Sequence, residues 1–572
     1  MLYYRQGRYA EAEPLYTRSL AIREKALGAE HPDFGQSLNN LAGLYVRQGR
    51  YAEAEPLQRR GLAIREKALG AEHPSVANSV SDLALLYVSQ GRYAEAEPLF
   101  KRSLVIWEKV LGPDHLNVGQ NFNNLATLAL AQGNRELAAD YWQRATTVIE
   151  RRAERGLAGS EGSSLKGEAV RYSWYFSGLV KMTDRLTPQG HADRERQGRE
   201  MFEKAQWVQA SEAASSLAQM AARSAMGNAA LASLVRERQD LVAEWQGKDK
   251  QLIAPKSELP AKRKPDAEKV LSDRLASIDA RLKVIDAQLA KDFPDYASFS
   301  SPKPASVAEV QAQLRDGEAL VLFLDTPEFK PTTPEETFIW VVTKTNAHWM
   351  RSDVGTKSLR REVAALRCGL DATAWWKETT CAELTGTGYT EADYEAGKPL
   401  PFDLDRANRL YKSLLGNAED LIKGKHLLIV SAGALATLPF QVLVTKPPAS
   451  NDLASAAWLV RDHPITVLPS VASLAALRRT AKPSTATKQM IGFGNPLLDG
   501  DQIHPRNSAY YKELADMARS QTGCAATPEQ RTASLRALSR SFTPVAQTDG
   551  IADLADLKRQ NRCPRRRRSY AP

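Results

Sequence analysis

Four cysteines and eight histidines are the residues best suited to nucleophilic or metal chemistry in this chain of 572 residues. A cysteine peptidase needs a thiolate, an imidazole within reach as general base, and backbone donors for the oxyanion. His504, in DQIHPRN, and Cys524, in QTGCAATPE, could form such a pair, but neither follows an apolar strand, and solvated loop residues are the plainer reading. Cys563 sits in the tail, and Cys368 and Cys381 stand earlier, in helix or loop contexts. Four cysteines are too few for a disulfide framework in a chain this long. No CxxC pair occurs and no histidine lies at zinc-site spacing from a second ligand, so neither a metal nor a cofactor is expected. GFGNP (492–496) lacks a third glycine and any GxxxxGK[ST] continuation. Ser431 ends a strand-like run but lacks the GxSxG elbow, so a packing turn is favoured over a nucleophile.

Carboxamides form a second kind of chemical site, because each offers a donor and an acceptor to an extended peptide backbone. Asn39 and Asn40, Ser81 and Asp82, and Asn123 and Asn124 recur in register. Asn39, Asn40, Asp82, Asn123 and Asn124 are therefore candidate peptide contacts, the alternative being that they cap or bridge neighbouring helices. His31, His73 and His115 recur on the same spacing and read as loop-packing elements rather than ligands.

These residues are carried by a repeat with a period of 42: GRYAEAEPL occurs at 7–15, 49–57 and 91–99, with a degenerate copy, GNRELAADY, at 133–141. Each unit predicts two helices. Helix A (37–48) places Leu38, Leu41, Ala42 and Tyr45 on one face, and helix B (51–69) offers Ala54, Leu57, Leu62, Ile64 and Leu69. Gly49 and Gly70 end them, and Pro74 can open the next. One such pair cannot bury its own face; stacked pairs can, and they form a superhelix with a concave surface. Residues 1–150 resemble tetratricopeptide repeats of the kinesin-light-chain type. The resemblance implies a peptide or protein ligand on the concave face, gripped by asparagines at these positions. LYYRQGRY (2–9) matches LYVRQGRY (44–51), so the chain opens in the middle of a helix A, with Leu2 and Tyr3 expected to expose a packing face and further repeats expected upstream.

A helical connector is expected over 151–200 and a long helical hairpin over 201–292. In the hairpin, Leu271, Leu275, Ile278, Leu282, Ile285 and Leu289 form a heptad seam facing Leu231, Leu234, Leu241 and Trp245. From 305 onward, strand-like runs at 319–324, 338–343, 426–431, 464–470 and 489–496 alternate with helical stretches, which predicts a largely parallel sheet covered on both faces. HLLIVSAGALATLPFQVLV (426–444), WLVRDHPITVLPSVASLAALR (458–478) and MIGFGNPLL (490–498) look like the CHAT domain, a caspase-like module often fused to tetratricopeptide repeats in bacteria. The expected fold is thus an α-solenoid and helical hairpin followed by an α/β caspase-like domain, over 305–562.

The resemblance implies a cysteine-peptidase dyad, with its histidine in an ATHG-like motif and its cysteine in an SACNT-like motif. Neither motif occurs in the sequence, so this caspase-like domain is expected to be incomplete and inert. The tail, CPRRRRSYAP (563–572), shifted by one nucleotide in a GC-rich back-translation, yields LPETAEKLCA, which is similar to the segment that precedes the dyad in CHAT domains. A frameshift is the expectation. The rival is a polyanion-binding tail, since arginines make salt-sensitive phosphate contacts. The last fifteen residues carry seven Lys/Arg of a chain with net charge +10, so the basicity is an end effect and weighs against a nucleic-acid partner. The N-terminus lacks a signal-peptide core, and no apolar run approaches the ~20 residues that span a bilayer. The default is a cytoplasmic protein without a membrane partner.

Overall fold

The computed structural model describes residues 2–154, 171–187, 191–209, 228–256, 258, 260–293, 296, 304–329, 333–371, 375, 380–474 and 478. The repeats form α1 (Leu2–Arg5), α2 (Tyr9–Leu27), α3 (Pro32–Arg47), α4 (Tyr51–Leu69), α5 (Pro74–Ser89), α6 (Tyr93–Leu111), α7 (Leu116–Ala131) and α8 (Arg135–Glu154). Gly49 and Gly70 take positive φ of 75° and 86°, which residues with a Cβ rarely adopt, where each helix stops. Leu38, Leu41, Ala42, Ala54, Leu62, Ile64 and Leu69 are buried, whereas Tyr45 and Leu57 are partly covered. Leu2 is 68% exposed, but Tyr3 is partly covered, with the Arg8 guanidinium 4.5 Å above its ring.

The recurring histidines have a specific task. Nδ1 of His31, His73 and His115 accepts the backbone N–H of Asp33, Ser75 and Asn117 at 3.2, 3.1 and 3.1 Å. Each caps a helix A, satisfying a first-turn donor that the helix leaves orphaned.

Two connector helices follow, α9 (Ser173–Leu186) and α10 (His191–Val208). Then α11 (Ala229–Lys256) and α12 (Pro265–Asp292) pair as a hairpin. Ile278, Leu282, Ile285 and Leu289 are buried in its seam against Leu231, Val235, Val242 and Trp245, and Arg274–Glu244 and Arg281–Glu237 pairs line its edge. The expected start of the hairpin at 201 needs correction: Met201, Phe202, Ala205 and Trp207 belong to α10 and pack in the core shared with the sheet.

After α13 (Val307–Gln313), the sheet is built from β1 (Glu318–Thr326), β2 (Glu336–Thr343), β3 (Ala347–Ser352), β4 (His426–Val430) and β5 (Ile465–Leu468), in the order β3-β2-β1-β4-β5. β1, β4 and β5 run parallel, but β1–β2 and β2–β3 are antiparallel, so the sheet is mixed rather than largely parallel. The short link from Thr326 to Glu336 cannot hold a parallel crossover, which needs a dozen or more residues. The expected strand at 489–496 lies outside the described residues.

Each sheet face has its own cover. Val321, Phe323, Ile339, Val341 and Ile429 pack on α14 (Thr356–Cys368) and α17 (Leu404–Leu415), which are separated by the short helices α15 (Thr380–Thr385) and α16 (Glu391–Glu395). Leu320, Leu322, Phe338, Trp340 and Val430 join one continuous core with α8, α9 and α10. Close approach at two glycines makes that junction. A Cβ on Gly178 of α9 would lie 2.5 Å from Trp142 of α8, and one on Gly198 of α10 would lie 2.9 Å from Trp349 of β3. The Trp340 indole also donates to the Gly198 carbonyl at 2.8 Å. Lys181, fully buried on α9, donates to the carbonyls of Pro327 and Pro334 at 2.6 and 2.5 Å, fixing the β1–β2 loop. Burial pushes its amine down to about 8, opposed by Glu336. Phe329 of that loop stacks on Trp142 at 5.8 Å.

Cys368 and Cys381 form a disulfide with Cα atoms 5.7 Å apart, closing a loop of sequence separation 13 between α14 and α15. The cysteine count excluded a framework, but it did not foresee this single bridge.

Candidate functional site

Stacking buries most of each helix A, because each lies between its own helix B and the next repeat. What stays open is a narrow stripe with i, i+4 spacing. On α3 it includes Gln36 and Asn40, on α5 Asn78 and Asp82, and on α7 Gln120 and Asn124. These six residues form two rungs, Gln36/Asn78/Gln120 and Asn40/Asp82/Asn124, each advancing by 42 residues. The first rung was missed from sequence, although its recurrence four residues ahead of the second was a readable signal. Leu85, 43% exposed, adds an apolar spot one turn beyond Asp82.

Asn39 and Asn123 do not join the rungs. Both are buried: the Asn39 amide donates to the Ser79 hydroxyl at 2.8 Å, and Asn123 Oδ1 accepts the Trp142 indole N–H at 3.0 Å. They bridge helices, which was the alternative reading of the asparagines. One residue along a helix rotates a side chain by about 100°, enough to turn it from the stripe into the core. Asn39 also explains Gly61: a Cβ there would lie 2.4 Å from Asn39 Oδ1, so only glycine admits this carboxamide.

Beneath the rungs lies Arg65, a buried guanidinium from helix B. It donates to the Ser79 hydroxyl at 2.6 Å, to the Ser75 carbonyl at 3.1 Å and to the Gln36 side chain. Desolvation lowers its pKa, while Asp82 and Asp33 act the other way. The Asp82 side chain opens to solvent, yet the surrounding protein pushes its carboxyl up to about 6 by desolvation, with Arg65 opposing. Gln36 donates to Asn40 Oδ1 at 2.8 Å, tying the two residues of this helix together. Asn40 also borders a cavity of about 260 Å³ lined by Tyr3, Leu15, Tyr16, Arg23 and Ser37. The arrangement offers backbone-binding groups beside a mixed aromatic and apolar recess.

The carboxyl ends of the parallel strands are the other place where an open α/β sheet holds chemistry. They carry Asp325 on β1 and Ser431 after β4. Burial raises the Asp325 carboxyl, and a 2.8 Å hydrogen bond from the Thr356 hydroxyl opposes this. The Ser431 hydroxyl is buried with no hydrogen-bond partner among the described residues. His426 and His463 lie at the opposite end of the strands, where their ring nitrogens meet Thr466 Oγ1 at 2.8 Å and the Lys425 carbonyl at 3.0 Å. Both described cysteines are locked in the disulfide. His504, Cys524 and Cys563 lie outside the described residues, as does the tail. Among the described residues, no group of three His, Cys, Asp or Glu side chains could hold a metal ion, and no helix is long and apolar enough to cross a membrane.

Family models agree with this architecture. The tetratricopeptide repeat matches residues 1–67, 33–104 and 75–151, and the CHAT domain matches residues 404–567. The chain therefore carries tetratricopeptide repeats followed by a CHAT domain. β1, β2 and β3 lie upstream of the CHAT match but share its sheet. Among solved structures, BtubC (BKLC) from P. vanneervenii is 23% identical over 35% of this chain and 75% of that one, with a TM-score of 0.29. A putative kinesin light chain from Podosopora anserina, with nearly identical TPR-like repeats, is 27% identical over 36% of this chain and 90% of that one, also with a TM-score of 0.29. No curated protein matches the chain.

Proposed function

We propose that this protein binds an extended peptide segment of a partner along the open stripe of α3, α5 and α7, on the concave side of the repeats, and that its CHAT portion acts as a scaffold rather than a peptidase. The observation that carries the first half is the double rung of Gln36/Asn78/Gln120 and Asn40/Asp82/Asn124, polar groups in register on a row of mostly buried helices. Carboxamides at a fixed rise grip a backbone without demanding a particular side chain, while Leu85 and the recess beside Asn40 supply sequence preference. The second half is supported by the absence of ATHG-like and SACNT-like motifs and by the pairing of Cys368 with Cys381. That bridge also argues against the cytoplasmic default, because disulfides persist in oxidising compartments; we infer that the chain works where the bridge stays closed.

Selection of random 12-residue peptides displayed on phage against the full chain tests the binding reading. Enriched peptides should lose at least tenfold in affinity on the triple substitution Asn40→Ala, Asp82→Ala, Asn124→Ala, and should tolerate a triple substitution on the outer helices. Enrichment of nothing, or equal loss from both triples, would overturn it. Thiol-dependent cleavage of the same library, abolished by Cys524→Ala, would overturn the scaffold reading.

A further inference from the structure

Where the repeats, the connector and the sheet meet, a cleft of about 580 Å³ opens between the start of α8, the end of α9, α10, β3 and Asn417. Arginines dominate its wall: Arg135, Arg185, Arg194 and Arg351, joined by His348, against a single lining carboxylate, Asp184. Asp184 is buried and shared, accepting from Arg194 at 3.0 Å and Arg351 at 2.9 Å. A second buried carboxylate, Glu336, accepts from Arg185 at 2.7 Å and lies 3.4 Å from Arg351 and 3.8 Å from Lys181. The lining itself thus carries four arginines against one carboxylate, and Arg135 makes no ion pair among the described residues. Structural neutralisation of buried acids needs one cation each. The excess here is a standing positive field in a concave site, the condition that concentrates an anion.

We propose that this cleft binds a small phosphate-bearing ligand, with Arg135, Arg194 and Arg351 converging on its phosphates and Trp349 walling one side. The planar guanidinium fork suits phosphate oxygens pairwise. Arg194 and Arg351 are held in place by Asp184, so little side-chain freedom is lost on binding, and Arg194 lies 5.2 Å over the Trp349 ring. The volume suits a ligand of nucleotide size. Because the wall draws on repeat, connector and strand, an occupant fastens the junction. This site is separate from the peptide stripe and stands or falls independently of it.

The test is calorimetric titration of the full chain with inorganic tripolyphosphate, with ATP and with adenosine. Tripolyphosphate and ATP should bind saturably, weaken as salt rises, and weaken about tenfold or more with Arg135→Glu; adenosine should not bind. Arg135 is exposed at a helix start, so this variant should fold, and His348→Ala provides a second change on the exposed rim. ATP tighter than tripolyphosphate assigns a nucleotide; equal affinities assign a simple polyphosphate. Deleting residues 559–572 should leave binding intact, as should the Asn40/Asp82/Asn124 triple. Absence of saturable binding at millimolar ligand overturns the proposal. So does binding lost with the arginine tail, or binding indifferent to both Arg135→Glu and His348→Ala.

Discussion

Replacing Gly178 by Ala should loosen the junction between the repeats and the sheet. The added Cβ would lie 2.5, 2.7 and 2.9 Å from three atoms of the Trp142 indole. Carbon atoms prefer roughly 3.5–4.0 Å, so the ring must retreat by about 1 Å. It has little room: its N–H is bonded to Asn123 at 3.0 Å and its face stacks on Phe329. Overpacking of this kind costs about 1–3 kcal/mol, and breaking a buried hydrogen bond adds about 1 kcal/mol. The sum, about 2–4 kcal/mol, corresponds to roughly 30- to 1,000-fold faster opening. Hydrogen exchange of the α9 amides, read by mass spectrometry, reports that local opening without assuming that so large a chain unfolds in one step. In a Trp142→Leu background the same substitution should cost less than half as much, because the two sites are in contact and couple. Exchange accelerated less than about threefold by Gly178→Ala, or an equal effect in both backgrounds, would refute the reasoning.

Other expectations follow from named contacts. Cys368→Ser with Cys381→Ser should remove about 3 kcal/mol of stability, the chain-entropy value for a loop near this size, and should abolish any effect of reductant on the thermal midpoint. His73→Ala should cost about 1 kcal/mol by uncapping α5, and His73→Asp should restore most of it, as urea titrations would show. Asp82→Asn should stabilise the chain at pH 7. The folded carboxyl is raised, so its ionised form is disfavoured there, and the contribution is lost as pH rises through about 6. Solvent screening of this open side chain holds the gain below about 1 kcal/mol, and it should vanish at pH 3, where both states are protonated.

The 42-residue period made the solenoid legible, because identity at fixed spacing reports stacking directly. The hairpin seam was legible for a similar reason: Ile278, Leu282, Ile285 and Leu289 keep a heptad rhythm. The sheet was less so. AHWMRS (347–352) carries a charge and a histidine and does not read as a strand, yet its Trp349 and Met350 are buried. Antiparallel pairing of β1 with β2 was written in the short link between them, and the alternating pattern overrode it. At the candidate site, the period pointed to the right helices, but adjacent asparagines look alike in sequence. Packing decides that Asn39 bridges to Ser79 while Asn40 stays open. The Cys368–Cys381 bridge depends on how α15 folds back on α14, a tertiary fact that cysteine counting does not reach.

The central claim is that carboxamides on the open stripe hold the backbone of a bound peptide. Its most direct test is a double-mutant cycle between the protein and a selected peptide, replacing single peptide amides by esters. At contacted positions the ester should weaken binding about tenfold to wild-type protein, and should cost little further in the Asn124→Ala or Asn40→Ala variant, because the same hydrogen bond is removed twice. Esters tolerated at every position, or losses that simply add to those of the asparagine substitutions, would contradict it.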